Sequence, residues 1–272
     1  MELYQCIKIN DYTWLVAEDI RPDFKNTCAF IIGKKRCALI DTGCGIANIR
    51  EYVKKLSNLP VVVLTTHVHL DHIGGHPLFD TIYASALEME KWEGNSDRLK
   101  ERLNFLKAAL EGNGRKYKLI KSNIVRESTF SYHPLADRMI FDLGDIVLEA
   151  AMIPGHTEES FVFVERKSGN AFVGDSVNPT PWILDENGKS VEEYGKAVKI
   201  FAERFPEIRH LYSGHCIRDI GIQTIQDTLC CVDEIVKGSK DERVNCYAGK
   251  AFQHIHGSVS MLYRQSTIRK NS

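Results

Sequence analysis

Short runs of apolar and β-branched residues, separated by charged or glycine-containing breaks, fill the first sixty positions. Tyr4–Ile9, Tyr12–Ala17, Cys28–Ile32 and Cys37–Ile40 are each four to six residues long, which predicts strands. The period then changes. Ile46, Ile49, Val53 and Leu56 share one face of a helix, Arg50, Lys54 and Lys55 lie off it, and Pro60 closes the unit. Val61-Val62-Val63-Leu64 follows as an unbroken apolar run, the pattern of a strand buried on both faces.

Residues 85–133 break the alternation. Leu99, Leu103, Leu106 and Leu110 form an apolar helical stripe in a segment otherwise rich in Lys, Arg and Glu, and the segment reads as a helical insertion. Such a stripe packs on a core, covers a substrate or joins two copies in a homodimer. Strands return at Met139–Phe141, Ile146–Met152, Phe161–Val164 and Ala171–Val173. The last two are joined by a hairpin turn at Lys167-Ser168-Gly169-Asn170. Helices are predicted over 191–204 and about 223–237. With no repeat and no low-complexity linker, 1–272 reads as one α/β domain.

The chemistry concentrates after the apolar strand at 61–64. Residues 65–72 read Thr-Thr-His-Val-His-Leu-Asp-His. In extended chain, side chains alternate, so His67, His69 and Asp71 project to one side. The turn marked by Gly74-Gly75 can swing His72 to the same place. Three further positions repeat one arrangement, a strand followed by a ligand-type residue beside glycine. They are His156 in Pro154-Gly155-His156-Thr157, Asp175 in Gly174-Asp175-Ser176, and His215 in Ser213-Gly214-His215. Each alone is ordinary, but in this order behind HxHxDH they form a set. Five histidines and two carboxylates suit Zn, Fe or Mn rather than Ca or Mg. Two such cations can share a hydroxide, and Zn lowers the pKa of bound water from 15.7 to about 7. Asp71 could then orient that nucleophile and shuttle its proton.

With Asp41-Thr42-Gly43 as a first motif, the order resembles the metallo-β-lactamase-fold hydrolase superfamily, from about Tyr12 to His215. The resemblance implies an α/β (α+β) fold, an αββα sandwich with a two-metal site. Carried over by position, His67, His69 and His156 hold one divalent ion and Asp71, His72 and His215 the second. Asp175 bridges both, and Asp71 is the catalytic residue. Zn is the first expectation for both ions. An Asp in the bridging position points toward the glyoxalase II-like, lactonase-like and phosphodiesterase branches. The implied reaction is hydrolysis of an ester, thioester, lactone or similar small-molecule bond. Two alternatives share the fold: a mononuclear iron persulfide dioxygenase using His67, His156 and Asp175, and a phosphodiesterase or nuclease.

The remaining polar residues read more simply. Asp41 is either a carboxylate behind a metal-bound histidine or an organiser of its own turn. His76, His133, His210, His254 and His256 lack metal-type spacing. Cys216 reads as a small buried residue. The basic run Arg115 to Lys121 and the tail residues Arg264, Arg269 and Lys270 read as solvated charge. Trp182, in a proline-rich loop after Asp175, is either a packed anchor or a pocket wall.

Composition narrows the setting. The chain has 272 residues, 43% hydrophobic, with 35 basic against 36 acidic residues and a net charge of −1. That balance disfavours nucleic acid as a partner and favours a small molecule. No run approaches a membrane span, the N-terminus lacks a leader pattern, and the eight cysteines contain no CxxC pair, so a cytoplasmic address is expected.

Overall fold

The computed structural model describes residues 2–21, 24–93, 98–126 and 128–269. Residues 94–97 and 127 of the expected insertion, and Lys270 of the basic tail, lie outside the described residues. By its internal contacts the chain divides into two compact units. One comprises Met1–Leu135, Ile140–Leu148 and Gly214–Arg218. The other comprises Ala136–Met139, Glu149–Ser213 and Asp219–Ser272. Among the described residues no helix is long and apolar enough to cross a membrane.

The first unit is built on seven strands that lie in the sheet in chain order. They are β1 (Tyr4–Lys8), β2 (Thr13–Arg21), β3 (Phe24–Ile32), β4 (Cys37–Ile40), β5 (Val61–Leu64), β6 (Ile82–Ala84) and β7 (His133–Pro134). The first four strands pair antiparallel, each with the next. Between β4 and β5 the chain crosses over through α1 (Ile49–Lys54), and β4, β5, β6 and β7 pair parallel. The helix begins three residues after Ile46, later than the apolar pattern suggests. Gly43 and Gly45 have φ of 68° and 67°, and the Asn48 side chain caps the helix by accepting from Glu51 N at 3.0 Å.

Three helices occupy the 85–133 segment: α2 (Ala86–Glu93), α3 (Arg98–Ala109) and α4 (Gly114–Asn123). Leu106 and Leu110 of the predicted stripe are buried in the same apolar cluster as Phe30, Leu39 and Val63. These two positions pack on the core of their unit, while Leu99 and Leu103 are half-buried. A further strand, β8 (Ile140–Asp142), leads into a turn in which Leu143 N donates to Ile146 O at 2.8 Å.

The second unit contains β9 (Val147–Met152), β10 (Phe161–Glu165), β11 (Asn170–Gly174), β12 (Trp182–Ile183), α5 (Val191–Arg204), β13 (His210–Ser213), α6 (Gln223–Val236), β14 (Glu242–Cys246), β15 (Gly249–His256) and β16 (Val259–Tyr263). One sheet runs β13-β11-β10-β9 and a smaller one β12-β16-β15-β14. The chain passes through α5 between β11 and β13, which pair parallel. A capping box at Ser190 and Glu193 starts α5. Val191, Tyr194, Val198 and Phe201 of α5 join Val162, Val173, Leu211 and Met261 in the core. Strands β14 to β16 were not legible in the sequence pattern. β14 and β15 bury few residues, and β14 exposes most of its length, whereas β16 buries four of its five.

A polar clamp ties that small sheet to α6. His254 on β15 bonds Asp241 through Nδ1 at 2.8 Å and Glu234 of α6 through Nε2 at 2.6 Å. Ser239 and Tyr263 hydroxyls each donate to the other Asp241 oxygen at 2.6 Å. Burial lowers the His254 pKa, but the two carboxylates outweigh it and the net shift is upward. Burial likewise raises Asp241, and its hydrogen bonds reverse the sign, while the histidine bonds hold Glu234 low.

The signs fix a pH window. The raised histidine contributes stability that is complete below about pH 6.5 and is lost as pH rises through its folded value. The lowered carboxylates contribute stability present above about pH 4.3 and lost as pH falls. Protection of the β15 amides from hydrogen exchange, corrected for intrinsic rates, should therefore decline above neutral pH. His254→Gln should flatten that decline, and a flat wild-type profile would contradict the clamp.

Candidate metal centre

Parallel pairing brings the ends of β4 and β5 out side by side. Ile40 pairs with Leu64, and Asp41 N donates to Leu64 O at 3.0 Å. Asp41 adopts φ 59°, in the left-handed region that Asp tolerates through local hydrogen bonding. Its carboxylate then reaches across to the next loop. Oδ1 accepts from Thr66 N at 2.8 Å, and Oδ2 accepts from Thr66 Oγ1 at 2.7 Å and His72 Nδ1 at 2.9 Å. Of the two readings open to Asp41, the structure thus shows the carboxylate behind a histidine ring.

The loop after β5 brings the histidines of HxHxDH together in the first unit. The ring centroids of His67 and His69 stand 4.6 Å apart, and those of His67 and His72 stand 4.0 Å apart. His72 N donates to His69 O at 2.9 Å, so the loop turns back and carries His72 to the same side, as the glycine pair suggested. His215 joins them. Thr27 N donates to Gly214 O at 2.7 Å, Phe24 stacks on the His215 ring, and His215 Nδ1 donates to Lys25 O at 3.2 Å.

Within this unit Asp71, His72 and His215 offer ligand atoms that all lie within 4.8 Å of one another. Asp71 Oδ2 is 3.7 Å from His215 Nε2 and 4.0 Å from His72 Nε2. Ligand atoms about 2.1 Å from one tetrahedral ion stand about 3.4 Å apart, close to these separations, so the trio could hold an ion.

The second unit holds His156 and Asp175. His156 Nε2 lies 3.6 Å from Asp175 Oδ2, and His156 Nδ1 donates to Trp182 O at 3.2 Å. Buried Tyr194 of α5 supports both residues. Its hydroxyl donates to Ser176 O at 2.8 Å, and a Cβ on Gly155 would meet its ring at 2.4 Å. Gly155 is therefore a requirement of close packing beneath His156. The Trp182 side chain is partly buried against Leu184, Ala251 and Leu262, which makes it a packed anchor whose carbonyl serves the site.

Four histidine rings share one arrangement. His72, His156 and His215 donate through Nδ1 to a protein oxygen. His67 Nδ1 lies 3.0 Å from Thr66 Oγ1, whose own hydrogen goes to Asp41, so His67 donates as well. With Nδ1 protonated, Nε2 carries the lone pair. This is how metal-bound histidines are oriented.

The other histidines stand apart. His76 is buried between two hydroxyls, Thr42 Oγ1 at 2.8 Å from Nδ1 and Thr65 Oγ1 at 2.7 Å from Nε2. Burial, helped by nearby His72, pushes its pKa down to about 3, so it stays neutral and braces the loop. His133 is exposed, and His210 pairs with Asp219. Cys216 is half-buried. One lysine of the basic run departs from the solvated reading: Lys116 is buried and pairs with Asp19 at 2.7 Å.

The sequence profile of the metallo-beta-lactamase superfamily matches residues 21–215, well over half of the chain. The chain belongs to that superfamily. Membership implies a bound divalent metal, and the donor set just described fits one. The chain is 26% identical over 159 residues to the hydroxyacylglutathione hydrolase GloC of Haemophilus influenzae, covering 56% of this chain and 66% of that one. It is 25% identical over 168 residues to the human acyl-coenzyme A thioesterase MBLAC2, covering 53% and 56%. The chain thus spans less than two thirds of the length of these relatives. A metallo-beta-lactamase from Pontibacter korlensis has the same fold, with a TM-score of 0.58 and 17% identity over 84% of this chain and 97% of that one.

Asp41→Asn removes one acceptor and puts an amide donor in its place, against a ring that must donate. Affinity for Zn²⁺, measured by titrating the metal-free protein, should fall 10–100-fold. Unchanged affinity would show that Asp41 organises only its own turn.

Proposed function

We propose that this superfamily member is a cytoplasmic metal-dependent hydrolase acting on the thioester, or a related ester or lactone, of a small molecule. The observation that carries the reading is the convergence of the Asp71, His72 and His215 ligand atoms within 4.8 Å of one another, on rings held through Nδ1. Four of the five histidines expected as ligands have Nδ1 held by a protein oxygen, and so offer Nε2. His76, His210, His254 and His256 also hold Nδ1 on a protein oxygen, so ring orientation supports the reading only together with that convergence. The two relatives named for glutathione and coenzyme A thioester chemistry support a thioester over the other bonds.

In this reading His67, His69 and His156 hold one ion, Asp71, His72 and His215 a second, and Asp175 both. Zinc suits the donors, as do iron and manganese. The bound ions supply an acidified water near neutral pH and positive charge opposite the oxyanion. The chain supplies orientation and proton transfer. Asp41 holds the His72 ring through Oδ2, and the Lys25 and Trp182 carbonyls hold His215 and His156. Asp71 accepts the proton of the attacking water as the acyl carbon gains its new oxygen. It returns that proton to the leaving sulfur or oxygen as the old bond breaks.

Elemental analysis of the purified protein followed by a panel of thioesters, esters and lactones tests this. About two metals per chain and turnover on the panel are expected. His67→Ala and Asp175→Ala should lose metal and activity together. Asp71→Asn should lower kcat by about 10²-fold or more while one ion is retained. Hydrolysis unchanged in these variants would sink the assignment. One iron per chain with oxygen uptake on a persulfide would replace it with the dioxygenase reading.

A further inference from the structure

The helix α3 carries a residue that its apolar stripe does not predict. Arg102 is 1% exposed, in a helix otherwise lined with solvated charge. Burying a guanidinium is costly unless its donors are met. Here the two terminal nitrogens donate to carbonyls of three separate segments. Nη1 donates to Cys44 O at 2.8 Å and Gly74 O at 2.9 Å, and Nη2 donates to Val125 O at 2.6 Å. Cys44 lies in the loop after β4, which begins with Asp41. Gly74 lies in the loop after β5, two residues past His72.

The two loops meet where the guanidinium sits. A Cβ on Gly74 would stand 2.2 Å from the Cys44 backbone and 2.8 Å from Arg102 Nη1. A Cβ on Gly45 would stand 2.4 Å from Gly74 O and 2.9 Å from the same nitrogen. Gly45 also needs its left-handed φ of 67°. Hydrogen bonds then run from the guanidinium to the centre. Gly74 N donates to Gly43 O at 2.7 Å, Thr42 N to His72 O at 2.7 Å, and His72 Nδ1 to Asp41 Oδ2 at 2.9 Å. Glu18 grips the first loop separately, accepting from Cys44 N at 2.8 Å and Ile46 N at 3.0 Å.

We propose that Arg102 is a positioning residue that pins the Asp41 loop to the His72 loop, so that α3 sets the metal affinity of the centre. It touches no reacting group. It fixes the distance across which Asp41 reaches His72. The inference rests on the reading of His72 as a metal ligand. Lysine is a poor substitute, because one ammonium cannot address carbonyls on three segments in the planar fork that arginine presents.

The test compares Arg102→Met and Arg102→Lys with the wild-type full-length chain. Zn²⁺ affinity is read by competition with a chromophoric chelator. Exchange of the Thr42 and Gly74 amides is read in the metal-free protein, and thermal stability serves as a control. Arg102→Met should weaken Zn²⁺ binding 10–100-fold, the range for groups that orient ligands. It should also speed exchange at both amides more than 10-fold relative to β10 amides. Arg102→Lys should fall between, and it carries the test if the methionine variant does not fold. A lower melting temperature with unchanged Zn²⁺ affinity would reduce Arg102 to a structural residue and overturn the proposal, as would unchanged loop exchange. A wild-type chain that binds no Zn²⁺ but whose loops loosen in the variants would overturn the ligand reading and leave the pin standing.

Discussion

Asp41 is a buried carboxylate with three hydrogen bonds and a backbone twisted into the left-handed region. It stands at the point where two parallel strands end together. The bonds that satisfy it are also the bonds that orient the next loop. Removing the charge would leave Thr66 and His72 donating toward a poorer acceptor in a buried region. The buried strands β4 and β5, the crossover through α1 and the interlocked glycines all serve to bring this one side chain within reach of His72. Local strain at a functional position is held in place by surrounding structure that over-determines it.

Much of this arrangement could be read in the chain. The unbroken run at 61–64 marked a doubly buried strand, and HxHxDH after it marked a loop on which histidines converge. Asp41-Thr42-Gly43, His156, Asp175 and His215 each sat just past a predicted strand, where α/β sheets form their sites. The helix at 191–204 and the strand at 37–40 were visible because their apolar positions repeat cleanly. What could not be read came from groups with no pattern. The carbonyls of Lys25 and Trp182 orient His215 and His156, and a carbonyl has no sequence signature. Arg102 looks like any charge on a polar helix until its neighbours are known.

The small sheet β12-β16-β15-β14 was illegible for a related reason. Strands β14 and β15 bury few apolar residues, and a polar cluster, His254 with Asp241 and Glu234, ties β15 to α6. Hydrophobic periodicity reports burial of carbon and is blind to such clamps. The same limit explains Lys116 and Arg102, both buried in a segment whose composition suggested solvent on every polar side.

The superfamily match ends at residue 215, yet the second unit continues. Leu262 N donates to Pro181 O at 2.9 Å and Ser260 N to Pro179 O at 2.8 Å, so β16 stitches down the short strand whose Trp182 carbonyl faces His156. A chain trimmed at the matched boundary would keep all seven candidate ligands and the Trp182 carbonyl, and lose the strand that holds that carbonyl in place. Residue-by-residue retention of a motif is thus an incomplete guide to transplanting this centre. The tail would have to travel with it.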